Sequence, residues 1–257
     1  MKGRIKKTFL RFAQIANMSF TVVALNVDYA ATGRGHLDRA PCRVTLSTGE
    51  VALVDAVLAV PGLYDTLAGY TQLSAEEVDA GSDLAETAAK VREELVKAGK
   101  VMLVGHGLMR AMRSMQLVRG THYESALDIV DFLKTWNRRF GHWNYYALPK
   151  IAHVLGLPSP PRNSLERAHT LLRVYELLVS DSLAPSRCTA ELQRMQYGKL
   201  FPAEVASKPD APTSVCVWAY DATNCFCGQP LLGSKQSGAR EYAIELVPDL
   251  TDARGSA

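Results

Sequence analysis

The sequence predicts an α/β domain: a mixed β-sheet with flanking helices, followed by a C-terminal extension. Two observations lead there. Three runs near the start, "SFTVVALNVDYA", "CRVTLS" and "VALVDAVLAV", have the β-branched, apolar composition of strands, and amphipathic stretches of helical period follow from residue 74 onward, interrupted by one short buried run, "KVMLVGHG". The resulting order is βββαβααα, which calls for a sheet with both antiparallel and parallel neighbours.

The elements follow in turn. The second and third runs flank "TGE", a hairpin turn in which Gly49 takes a positive φ, so the first three strands are expected to be antiparallel. Ser74 and Glu77 stand at capping-box spacing, and "SDLAETAAKVREELVKAG" continues as a helix with Leu84, Ala88, Val91 and Leu95 inward and Gly99 as its stop. "KVMLVGHG" is a buried strand that runs directly into the helix "LMRAMRSMQL". Further helices are expected in "YESALDIVDFLKTW", in "YALPKIAHVLG" with Gly156 as its cap, and in "NSLERAHTLLRVYELLVSD". In the last of these Leu165, Ala168, Leu172, Tyr175 and Val179 share a face.

Composition sets outer bounds. The 257 residues are 47% hydrophobic and 21% charged, enough for one globular domain with an extension, and no apolar run approaches the ~18 residues of a membrane span. No membrane partner is expected. Five cysteines, an odd number in a chain this long, point to a reducing compartment. Residues 1–17 form a separate basic arm with Lys2, Arg4, Lys6, Lys7 and Arg11, no acid before Asp28, and Ile5, Phe9 and Phe12 at helical spacing. That pattern suits a mitochondrial targeting helix, hence the mitochondrial matrix. It equally suits an arm contacting RNA or a nuclear importer, hence the nucleus or nucleolus.

The first strand poses a chemical question, because "VALNVDYA" puts Asn26 and Asp28 on one face of what reads as a central strand. Four phrases answer it together: "ALNVD" at 24–28, "YTQLSAEEV" at 70–78, "VGHGLMRA" at 104–111 and "RNSLERA" at 162–168. In order and spacing they resemble the motifs of the DEDD (DnaQ-like) 3′→5′ exonucleases of the ribonuclease H-like fold, within the RNA exonuclease group near oligoribonuclease. The resemblance covers residues 18–181 and implies a ribonuclease H-like sheet. In that family four carboxylates hold two divalent metals on the scissile phosphate, and a histidine serves as general base.

Carried over position by position, the resemblance puts the first acid on Asn26, the second on Asp28, the third on Ala111, the histidine on Arg162 and the last acid on Arg167. Only Asp28 keeps a carboxylate. Ala111 offers a hard cation no oxygen, and neither arginine can lose its proton to act as a base. A guanidinium ~5 Å from a divalent ion, at an effective dielectric of ~20, is repelled by roughly 6 to 7 kcal/mol. The sequence therefore implies a pseudoenzyme with no catalytic residues, no metal and no cofactor, in which Arg167 pairs with Asp28. The competing reading is an active exoribonuclease using Mg²⁺ or Mn²⁺ on a rearranged site that recruits Asp128 or Glu166.

Two groups of residues are candidates for RNA contact. Arg110 and Arg113, with Arg162 and Arg167, are expected around the former active site. "KTWNRRFGHWNYYALPK" at 134–150 interleaves aromatic and basic residues, with Trp136, Trp143, Arg138 and Arg139 foremost. The same residue types also suit a protein interface. Residues 182–257 form the C-terminal extension: a linker-like stretch broken by prolines, then "VCVWAYD" and "REYAIELVP" as strands able to pair as a hairpin. Cys188, Cys216, Cys225 and Cys227 lack paired zinc-ligand spacing and read as buried hydrophobes. The functional expectation is a structural or RNA-binding subunit of a ribonucleoprotein assembly, with protein subunits and RNA as partners.

Overall fold

The computed structural model describes residues 20–33, 38–49, 51–137, 142–158, 163–181 and 183–197. The basic arm, Arg138, Arg139, Arg162 and the strands expected after residue 210 lie outside them.

Five strands form the central sheet: β1 (Thr21–Ala31), β2 (Arg39–Ser47), β3 (Ala52–Val57), β4 (Val101–Gly105) and β5 (Ser125–Asp128). Their order is β3-β2-β1-β4-β5, with β1, β2 and β3 antiparallel and β1, β4 and β5 parallel. The mixed sheet is thus the one expected, with β1 at its centre. Between β3 and β4 the chain forms α1 (Ala68–Thr71), α2 (Ala75–Asp79) and α3 (Leu84–Lys97). Ser74 and Glu77 close a complete capping box on α2, and Asp83 caps α3 by accepting from Ala85 and Glu86 N–H.

After β4 come α4 (Leu108–Ser114), α5 (Ile129–Leu133), the hairpin strands β6 (Thr135–Asn137) and β7 (His142–Asn144), then α6 (Leu148–Val154), α7 (Ser164–Ser180) and α8 (Ala184–Tyr197). Strand alternation sorts the core into two layers. Val23, Leu25, Val44, Leu46, Val101 and Leu103 face α3 and α4, whereas Ala24, Met102 and Val104 face the layer of α6, α7 and α8. Gly105 gives room where β4 turns into α4: a Cβ there would lie 2.7 Å from Leu108 Cδ1 and 3.0 Å from Leu25 O.

Three stretches differ from the sequence reading. "YESALDIVDFLKTW" is a strand and a helix rather than one helix: β5 pairs with β4 from Met102↔Ser125 to Gly105↔Asp128, and Asp128 then caps α5. The linker-like stretch holds α8, whose Ala184, Cys188 and Leu192 join the core, so the packed unit continues past residue 181. Pro185 permits this, since the first helical turn has no use for its N–H. On α7 the expected Ala168, Leu172 and Tyr175 are buried, but the inward face is wider than expected and takes in Ser164, Arg167, Leu171 and Leu178, while Leu165 and Val179 are only half-buried. The inward face therefore includes Arg167.

Candidate functional site

The even-numbered face of β1 carries Asn26 and Asp28 beneath α7. Register places Asn26 opposite Thr45 on β2, and Thr45 opposite Asp55 on β3, so one polar row crosses three strands. Asp28 stands opposite Arg43, just before a bulge that interrupts the pairing at Tyr29. Asn163 caps α7 by accepting from Leu165 N–H, which fixes the start of the helix and sets Ser164 and Arg167, one turn apart, over that row.

These residues form one closed network. Arg43 donates from Nε and Nη2 to both carboxylate oxygens of Asp55, at 3.0 and 2.7 Å. Thr45 Oγ1 lies 2.9 Å from Asp55 Oδ1 and 2.8 Å from Ser164 Oγ. A hydroxyl has one proton, and the carboxylate can only accept it, so Thr45 donates to Asp55 and Ser164 donates to Thr45. Asn26 Nδ2 then donates to Ser164 Oγ at 2.7 Å and to Asp28 Oδ1 at 3.3 Å. Arg167 Nη2 donates to Asp28 Oδ2 in a short ion pair. Two carboxylates face two guanidinium groups, so the row is neutral overall.

Asp28 is wholly buried, and Arg167 nearly so. Burial pushes the Asp28 carboxyl upward; the charge of Arg167, the Asn26 amide and the charge of Arg43 oppose it. Tyr70 roofs the pair: its carbonyl accepts from Arg167 Nη1 at 3.2 Å, and its ring lies 4.9 Å from the guanidinium carbon. Arg167 Nε, turned into this enclosure, has no hydrogen-bond partner. The carrier of Tyr70, α1, is a single turn between Leu67 and Gln72, which take φ of 55° and 59°.

The other expected positions fall elsewhere. Ala111 is buried in the apolar cluster of Leu25, Leu108 and Met112, on the α4 layer. Arg110 stacks 4.2 Å from the centre of the Tyr29 ring and donates to Arg39 O, while Arg113 lines a shallow groove with Met109, Met112 and Tyr123. That groove shares no lining residue with the Asp28 network. Glu166 is exposed on the first turn of α7. The Asp128 carboxylate accepts from the N–H groups of Gly107 (2.9 Å), Leu108 (2.6 Å) and Val130 (3.1 Å), capping α4 and α5 at once. Burial foremost, with the nearby charge of Asp131, pushes its carboxyl up to about 6 despite those three bonds. His106 Nε2 meets Tyr146 O at 2.9 Å, and burial lowers its pKa. Among the described residues, no group of three or more His, Cys, Asp or Glu side chains is placed to share a metal ion.

Comparison with solved structures decides the fold. The apo Pan2 pseudoubiquitin hydrolase-RNA exonuclease module of Saccharomyces cerevisiae, in complex with A7 RNA, superposes with a TM-score of 0.55 at 19% identity, covering 72% of this chain and 33% of that one. The fold is ribonuclease H-like. Escherichia coli Exonuclease I in complex with a dA16 oligonucleotide matches with a TM-score of 0.46 at 14% identity, over 72% of this chain and 46% of that one. Schizosaccharomyces pombe Pop2p in its Mg²⁺- and Mn²⁺-bound form matches at 0.45 and 12%, over 71% and 92%. The chain spans about a third of the Pan2 module it resembles. No protein-family model and no curated protein matches the sequence.

Within this exonuclease-like fold, sequence reasoning picked out Asn26, Asp28 and Arg167 and missed Thr45, Asp55, Ser164, Arg43 and Tyr70. Two signals pointed to some of them. Ser164 precedes Arg167 by one helical turn, and the "TGE" turn fixes the β2–β3 register that brings Thr45 to Asp55. Tyr70 opens the phrase at 70–78, but nothing local places it over the Asp28–Arg167 pair.

Proposed function

We propose that this chain is a catalytically inactive exonuclease-like protein that serves as a structural or RNA-binding subunit of a ribonucleoprotein assembly, such as a mitochondrial ribosome or an RNA-processing complex. The observation that carries the reading is the Asp28–Arg167 ion pair. A site for two hard cations needs several converging carboxylate oxygens. Here Asp28 is matched by a guanidinium, and Asn26 directs its N–H groups, not its carbonyl oxygen, at Asp28 and Ser164. The donors do not fit a divalent ion. Asp128 is committed to three backbone N–H groups and Glu166 points to solvent, so neither supports the rearranged active site. The nucleic acids in the Pan2 complex support a role at RNA.

The test has two arms. Purified protein incubated with a short single-stranded RNA in Mg²⁺ or Mn²⁺ should leave it intact; trimming that Asp28→Ala abolishes would establish the active exonuclease instead. In a mitochondrial extract the native protein should sediment with a heavy particle that ribonuclease breaks down. A light, ribonuclease-indifferent species would remove the assembly from the proposal.

A further inference from the structure

The β6–β7 hairpin is built inside out. In a two-stranded ribbon packed on a domain, alternate residues face in and out, and apolar side chains normally take the inner face. Here Thr135 pairs with Asn144 and both are buried, whereas Trp136 pairs with Trp143 and the two indoles are 39% and 40% exposed. The inner face is held by polar contacts: Thr135 Oγ1 bonds Tyr146 Oη, and the Tyr146 carbonyl in turn meets His106. The two largest apolar side chains of the ribbon are therefore presented outward from a fixed base.

They pack against each other and beside Lys134. The indoles meet edge to face, with centroids 5.3 Å apart and an interplanar angle of 70°. Lys134 Nζ, anchored by Asp131 at 2.7 Å, lies 5.2 Å from the centre of the Trp143 ring and 5.9 Å from that of Tyr145. Lys134 thus positions Trp143 and is not offered to a ligand. At 39% and 40% exposure the paired tryptophans retain aromatic surface for a planar partner.

We propose that this hairpin is a stacking platform for the bases of single-stranded RNA, and that RNA contact in this protein lies here and not in the former active-site cleft. The proposal rests on the RNA-binding part of the proposed function and names its surface. Two indoles about 40% exposed present roughly 100 Å² each, far short of the ~800 Å² per partner of a stable protein interface, yet enough for one or two stacked bases. Charge agrees: beyond Lys134, which Asp131 holds, the sequence up to Lys150 adds Arg138, Arg139 and Lys150 and no Asp or Glu. The cleft, by contrast, is a neutral network whose arginines are already paired.

The experiment titrates the full chain, carrying Trp218→Phe so that the hairpin indoles are the two tryptophans left, with a 12-nucleotide oligouridylate in EDTA. Expected is a saturable quench of indole fluorescence, and a loss of affinity of tenfold or more in Trp136→Ala and in Trp143→Ala, with Trp→Phe variants in between. Arg43→Gln should bind as the parent does. Absence of a quench in the folded parent overturns the proposal. So does affinity within twofold of the parent in both alanine variants, including the case in which they only lower the melting temperature or dissociate the protein from other subunits. EDTA separates the two readings: RNA trimming on added Mg²⁺ would remove the inactive-enzyme reading and leave the platform standing, and absence of binding would do the reverse.

Discussion

The Asp28 network and the β6–β7 hairpin solve opposite problems with misplaced residue types. In the network, charged and polar groups lie in the interior, and each carboxylate is met by a guanidinium or a hydroxyl until the row is neutral. In the hairpin, apolar indoles lie outside, and among the described residues no second layer covers them. The difference teaches where in this fold to look for function. A buried polar cluster whose charges cancel serves the fold, while an exposed apolar pair is surface that the fold itself does not use.

The comparison can be broken most forcefully at Arg167. Arg167→Ala leaves the wholly buried Asp28 carboxylate without its cation, and breaking such a pair costs about 3–5 kcal/mol. Urea denaturation should register a loss of that size. Replacing both partners with apolar residues, as in Asp28→Leu with Arg167→Met, should recover much of it, because the desolvation cost of both ions disappears. If Arg167→Ala unfolds no earlier than the parent, the network is not holding the cleft closed.

Asp128 sharpens the contrast from another side, since it is a buried carboxylate held by peptide N–H groups in place of a guanidinium. Its carboxyl, pushed up mainly by burial to about 6, keeps its proton longer in the folded chain than in the unfolded one. The stability it contributes is therefore full below about pH 4 and is lost as pH rises through about 6, on the order of 2–3 kcal/mol. Melting temperature followed over that range should fall, and Asp128→Asn should flatten the fall while lowering stability throughout, because an amide cannot accept from all three N–H groups.

How far the sequence foretold these features depends on whether their causes are local. Asn26, Asp28 and Arg167 were legible because they stand at the spacing of the phrases at 24–28 and 162–168. The capping box at Ser74 and Glu77 was legible because four adjacent residues specify it. β5 was hidden, since four residues show no period of their own and pair only with β4, which lies more than twenty residues earlier. Ser164 and Thr45 meet across 119 positions, and no window of sequence contains both. The aromatic stretch at 134–150 was visible as composition, but its inside-out facing depends on which side of a three-residue strand docks on the domain.

A smaller effect tests whether the network acts as a unit. Ser164→Ala removes the donor to Thr45 and the acceptor for Asn26, which should cost about 1–2 kcal/mol, and Thr45→Val should cost a similar amount. Because one proton chain runs through both, the double variant should cost clearly less than the sum of the singles. Additive losses in a double-mutant cycle would mean separate contacts that merely adjoin.

The smallest stability change is expected at the indoles. A cross-strand aromatic pair adds about 0.5–1.5 kcal/mol beyond its burial, and these rings are 39% and 40% exposed, so Trp136→Ala should lower stability by about 1 kcal/mol. Thermal denaturation read by circular dichroism checks this without relying on the indoles themselves. A loss comparable to that of Arg167→Ala would make the pair a structural staple, and its outward position would then be a way of clamping the hairpin. A loss near 1 kcal/mol leaves the exposure of two tryptophans unexplained by folding, because two smaller polar residues would hold the same ribbon at little cost. The contrast between a buried network that is expensive to cut and an exposed pair that is cheap to cut is what assigns the first to the fold and the second to a partner.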